Sequence, residues 1–166
     1  MFPMSNDLLD GVIFDIGGTV VEENSPATSI KHLVPVLLPN VAADLDYLSR
    51  FVRIGAATNT SVMTESDVRK LLAVVDVDRY FEALVTSCDI GIAKPDPALL
   101  VVAMERLELG DPERILYVGD RDVDEMAANA AGFQFTYVSK DGLLASVMEW
   151  VNWWFQLQGT ARADLG

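Results

Sequence analysis

The sequence predicts an α/β protein built on a parallel sheet with helices on both faces. Three observations carry that expectation. Short apolar runs of strand length recur at Gly11–Phe14, Ile54–Ala57, Ala83–Val85, Ile115–Val118 and Phe133–Val138. Several are continuous rather than alternating, as strands covered on both faces require. Between them lie segments with helical patterning: Ser66–Val75, Asp96–Leu107 and Asp122–Ala131. Strands alternating with helices build βαβ units, and such sheets bind ligands beyond the carboxyl ends of their strands.

Each element has a local reason. Thr64 or Ser66 is a natural N-cap for the helix over 66–75. Pro97 suits a first helical turn, with Asp96 as its cap. In Asp96–Leu107, Leu99, Leu100, Val102, Ala103, Met104 and Leu107 share a broad face. The C-terminal segment Leu143–Leu157 reads as a final helix with Leu143, Leu144, Val147, Met148, Val151, Trp154 and Phe155 on its apolar face and Trp150 at the edge. Trp153 falls away from that stripe, so the helix is expected to carry a homodimer contact through Trp153 and Trp150.

Composition narrows the class further. The 166 residues predict one domain, residues 1–166, and 51% hydrophobic content excludes a disordered chain. The formal net charge of −13 disfavours nucleic acid and anionic membranes as partners. No apolar run approaches the roughly 20 residues of a membrane span, and the N-terminal residues lack the pattern of a signal peptide. A cytoplasmic location is the expectation. Cys88 has no second cysteine to pair with and reads as a packed strand residue.

The residues just after the strands hold the candidate chemistry. Asp15 follows the first run and leads into Gly17 and Gly18. A carboxylate there projects into the ligand crevice as nucleophile or metal ligand, and the glycines allow a tight turn. Thr58 and Asn59 close the second run, offering a hydroxyl and amides that open a helix, either for a phosphate or as an ordinary cap. Lys94 precedes two prolines that stiffen its loop. Asp120, Asp122 and Asp124 crowd the end of the fourth run, where a hard cation relieves their repulsion. Asp122 reads as a helix cap and Asp120 as the better ligand.

In order, FDIGGT, TNTS, GIAKPDP and VGDRDVDEMAANAAG resemble the four motifs of the haloacid dehalogenase superfamily, from about Val12 to Gly132. The resemblance implies a three-layer, Rossmann-like parallel sheet with helices on both faces. It implies a Mg²⁺-dependent phosphatase acting on a phosphorylated substrate, in which Asp15 attacks phosphorus and forms an aspartyl-phosphate. By the same resemblance Mg²⁺ is held by Asp15, the Gly17 carbonyl and Asp120, with Asp124 as a fourth metal-site residue, close by or bridged through water. Thr58, amides near Gly18 and Asn59, and Lys94 bind the phosphoryl group, and Lys94 is catalytic.

Two features depart from the pattern. Phosphatases of this superfamily mostly carry a second aspartate two residues after the nucleophile, as the acid that protonates the leaving group. Here that residue is Gly17. His32, Glu22 and Glu23 lie downstream, and none has a spacing that identifies it as the replacement. His32 reads as a partly exposed helix residue. The alternative is a non-catalytic phosphate- or partner-binding relative that has lost its acid. The intervals from Asp15 to Thr58 and from Thr58 to Lys94 are also too short for a substantial inserted cap domain, which leaves the expected site open.

Overall fold

The computed structural model describes residues 8–23 and 35–163, with side chains described up to Thr160. The predicted site residues fall within them; His32 lies outside. Five strands form one sheet: β1 (Gly11–Phe14), β2 (Arg53–Thr58), β3 (Ala83–Thr86), β4 (Ile115–Gly119) and β5 (Gln134–Tyr137). All pairings are parallel, in the order β3-β2-β1-β4-β5. The helices are α1 (Val41–Leu48), α2 (Glu65–Val74), α3 (Ser87–Ile90), α4 (Ala98–Arg106), α5 (Asp122–Ala131) and α6 (Leu143–Ala163).

Alternation along each strand divides the core into two layers. Val12, Phe14, Ile54, Ala56, Leu84, Leu116 and Val118 face α1, α2 and α6. Ile13, Ala57, Val85, Ile115 and Tyr117 face α4 and α5. That is why β1 reads GVIF with no polar alternation: helices cover both faces. Each fully buried Leu, Ile or Phe contributes roughly 1.5–3 kcal/mol, and most of these side chains are completely enclosed.

The strand order determines where the site forms. Successive strands run outward from β1 to β3, and the chain then returns to place β4 on the other side of β1. Order reverses between β1 and β4, so the crevice opens beyond their carboxyl ends. Asp15 and Asp120 are the residues that follow those two strands.

Local expectations fared unevenly. Thr64 caps α2, accepting from the Asp67 amide while Asp67 accepts from the Thr64 amide. The amides after Thr58 do not open a helix, because residues 59–64 form a loop and α2 begins at Glu65. Helix α4 starts at Ala98, one residue after Pro97, and Asp96 accepts from the Ala98 N–H at 2.9 Å. Asp122 is the first residue of α5 rather than its cap. Cys88 lies half-buried in α3, not in a strand.

The largest correction concerns α6. Trp150, assigned above to a dimer contact, is 4% exposed and belongs to the core, whereas Phe155, assigned to the buried face, is 47% exposed. The sheet and α1 support only the first turns of this long helix. Beyond Val151, Trp154 is half-buried, while Trp153, Phe155 and Leu157 stand exposed.

Candidate active site

The loop after β1 is a compact turn. The Ile16 carbonyl accepts from the amides of Thr19, Val20 and Val21, and the Asp15 amide donates to Val118 O at 2.9 Å. These bonds tie the end of β1 to β4 and hold the Asp15 carboxylate at the sheet's edge. Gly18 adopts φ 79°, and a Cβ there would overlap the Asp120 carboxylate. Its amide donates to Val21 O at 2.8 Å. The expected phosphate-facing role of Gly18's amide is therefore corrected: the turn consumes it, and the residue's contribution is room for Asp120. Gly17 differs, since a Cβ built on it meets nothing within 4 Å and its φ is not left-handed.

Lys94 is the centre of the buried half. Its ammonium is enclosed, 3.0 Å from Asp15 Oδ1, 2.6 Å from Asp124 Oδ1 and 2.8 Å from the Tyr117 hydroxyl, with Ala57 O at 3.3 Å. Three ammonium protons suit the three shorter contacts. Asn59 fixes the backbone beneath: its side chain accepts from Lys94 N at 2.9 Å and donates to Lys94 O at 3.0 Å. Asn59 thus positions Lys94 and leaves only its backbone amide for a ligand. Thr58 is nearly buried at the end of β2 and lines the same cavity as Asp15, Gly17, Lys94 and Asp124.

Asp124 is completely buried, although it lies on α5. One oxygen takes Lys94; the other accepts from the amides of Asp120 and Arg121 at 3.1 and 3.0 Å. This closes the acidic loop and aims Asp120 at Asp15. Tyr117 completes the network, its hydroxyl donating to Ala57 O at 2.8 Å. The sequence reading missed Tyr117, which looked like one more apolar residue of a strand. Its signal was a phenol inside an aliphatic run, because a buried Tyr needs a partner for its hydroxyl.

The charges do not balance. Asp15, Asp120 and Asp124 each offer an oxygen within 4.8 Å of the others, against one buried ammonium among the described residues, that of Lys94. Burial, with Asp124 beside it, pushes the Asp15 carboxyl up, and the Lys94 ammonium opposes that shift. Asp120 is pushed up to about 6, first by burial and then by the facing Asp15 carboxylate. Burial and the same aspartates push the Tyr117 phenol well up. Asp120 Oδ1 is also buried without a hydrogen-bond partner. An orphaned oxygen within a cluster of surplus negative charge is the donor set of a hard divalent cation, so the residues fit one.

A wider cleft of about 310 Å³ opens beside this cavity, sharing Gly17, Glu23, Thr58 and Asn59 with it.

A sequence model of the haloacid dehalogenase-like hydrolases matches residues 35–132, from before α1 to the end of α5. The Asp15 loop lies ahead of that segment. A Pseudomonas putida protein named "Probable phosphoglycolate phosphatase" is 31% identical over 132 residues, covering 79% of this chain and 50% of that protein. The Escherichia coli K12 phosphoglycolate phosphatase is 34% identical over 97 residues, 58% of this chain and 37% of that protein. The chain thus spans half or less of the length of these relatives. A haloacid dehalogenase superfamily hydrolase from Ehrlichia chaffeensis has the same fold, with a TM-score of 0.67 at 16% identity over 82% of this chain and 90% of that one. With well over half of its residues matched, and with an aspartate, a threonine, a buried lysine and an acidic loop at the ends of a parallel sheet, the chain belongs to the haloacid dehalogenase-like hydrolases.

Proposed function

We propose that this domain is a Mg²⁺-dependent phosphatase whose nucleophile is Asp15. The observation that carries the reading is the Lys94 ammonium bridging Asp15 and Asp124 at the switch point of the sheet. Asp15 attacks phosphorus with a carboxylate oxygen, the ester P–O bond breaks and the alcohol departs as an oxyanion that takes its proton from solvent; water then hydrolyses the aspartyl-phosphate, returning Asp15 and releasing phosphate. Lys94 holds the Asp15 carboxylate in line and stabilises charge on the transferring group. The Thr58 hydroxyl and the Asn59 amide bind phosphoryl oxygens. Asp15, the Gly17 carbonyl and Asp120 would hold Mg²⁺, with Asp124 orienting Asp120. When bound, the cation neutralises the charge between nucleophile and phosphate.

Among the described residues neither long interval holds a second domain. Between β1 and β2 lie a turn, an extended stretch and α1; between β2 and β3 lie α2 and a short 3-10 turn. We read residues 1–166 as one uncapped catalytic domain. None of the described helices is long and apolar enough to cross a membrane, and a cytoplasmic location fits that. The dimer proposal now rests on Trp153 rather than Trp150; light scattering that finds a monomer at micromolar concentration overturns it.

The names of the relatives point to small phosphate monoesters such as phosphoglycolate. Gly17 favours a second reading, a phosphate- or partner-binding protein without turnover. One experiment separates them: a phosphate-ester screen with Mg²⁺, run beside Asp15→Asn. Turnover lost in the variant with an unchanged circular dichroism spectrum supports the phosphatase. Undiminished turnover in the variant or in excess chelator overturns it.

A further inference from the structure

The two cavities beside Asp15 differ in chemistry. The inner one measures about 60 Å³ and contains both basic side chains of the site, Lys94 and Arg121. The outer cleft, about 310 Å³, is walled by Val21, Met63, Val68 and Leu71 among others. Among the described residues its charged lining is Glu22 and Glu23, both exposed acids. Arg121 stays on the inner side, its guanidinium 4.0 Å from Glu23. The two spaces meet at Gly17, where a Cβ would touch nothing.

A phosphoryl group beside Asp15, Thr58 and Lys94 fills the inner space, so the rest of the ester extends past Gly17 into the outer one. We propose that the esterified group is uncharged and largely apolar, of aryl or comparable bulk, and that a leaving group bearing a carboxylate is disfavoured. This rests on the phosphatase reading and specifies its substrate class. A carboxylate in the cleft meets two glutamates, finds no cation among the described lining residues and loses hydration against an apolar wall. An aryl group buries apolar area there, and a cleft of this size accommodates one. Aryl oxides also depart with less need for a proton, which matches the missing side chain at Gly17. The inference runs against the hydroxy-acid ester that the relatives' names would transfer.

The test compares 4-ethylphenyl phosphate with 4-(carboxymethyl)phenyl phosphate, whose phenols have nearly equal acidity, in Mg²⁺ at low ionic strength. The expected result is a kcat/KM at least tenfold higher for the ethyl compound. That gap should narrow in added salt and in the Glu22→Gln, Glu23→Gln double variant. Equal rates, or a preference for the carboxylate, overturn the proposal. Calorimetry with phenylphosphonate and 4-carboxyphenylphosphonate, which cannot be hydrolysed, is run in parallel. If neither ester turns over while the screen finds another ester whose turnover is lost in Asp15→Asn, the aryl assignment fails; if the screen finds no substrate at all, the phosphatase reading fails and the phosphonates decide the cleft by themselves. Tighter binding of the uncharged phosphonate sustains its assignment; equal affinity or no binding overturns it.

Discussion

The two sides of Asp15 are built in opposite ways. On one side, Lys94, Asp124, Tyr117 and the Ala57 carbonyl form a closed hydrogen-bonded network in which both Asp124 oxygens and the Lys94 ammonium are engaged. On the other, Gly17 presents no side chain, a cleft opens beside it, and Glu22 and Glu23 are exposed. The groups that would handle the transferring phosphoryl are over-determined by their neighbours, while those that would meet the leaving group are few. Rigid placement is what electrostatic stabilisation of a transition state needs. The open side has no such requirement, so there the choice of substrate is left to space, polarity and charge.

The comparison breaks most visibly if the open side is filled. Gly17→Asp adds a side chain at a position where a Cβ meets nothing within 4 Å and φ is ordinary. Turnover of alkyl phosphates, measured against aryl phosphates, should rise toward the ~10²–10⁴-fold that a general acid supplies. An unchanged alkyl-to-aryl ratio would show that the acid's absence does not limit the proposed turnover.

Breaking the closed side should cost stability as well as activity. Lys94→Met leaves Asp15 and Asp124 buried without their cation. Removing one partner of a buried pair typically costs ~3–5 kcal/mol, which urea denaturation would read. A loss below about 1 kcal/mol would mean that the network behaves like a surface ion pair.

The cation prediction joins the two sides. Asp120 Oδ1 lacks a partner and faces Asp15 among surplus negative charge. Mg²⁺ at a hundred times its dissociation constant should therefore stabilise the protein by about 2.7 kcal/mol, seen as a rise in Tm. Asp120→Asn should raise the Tm of the metal-free protein by removing repulsion and should abolish the Mg²⁺ response. A Mg²⁺-dependent rise that persists in the variant would move the cation elsewhere.

The smallest effect belongs to Tyr117→Phe. It removes one contact from Lys94 and leaves Ala57 O with only the 3.3 Å one. The cost of such a buried, poorly satisfied group is about 1–3 kcal/mol. As Tyr117 positions Lys94 and touches no substrate, kcat should fall with KM nearly unchanged. A change confined to KM would contradict that role.

Sequence by itself determined the sheet. The five strands lie within two residues of the apolar runs that predicted them; in β1 to β4 burial on both faces leaves a continuous apolar signature, while the edge strand β5 is only partly buried. Asp15, Thr58, Lys94 and Asp120 were legible too, since each follows a strand or occupies a stiffened loop near one. Tertiary structure decided what those residues do to one another. Lys94 lies 79 positions from Asp15 and 30 from Asp124, so nothing local could reveal that one ammonium serves both. The same holds for Asn59, whose amide clamps Lys94 from another loop, and for Gly18, whose missing Cβ makes way for Asp120. In α6 the apolar periodicity continues past the point where the core ends. Trp150 and Phe155 were therefore misassigned, because period shows which face is apolar but not how far the sheet extends beneath it.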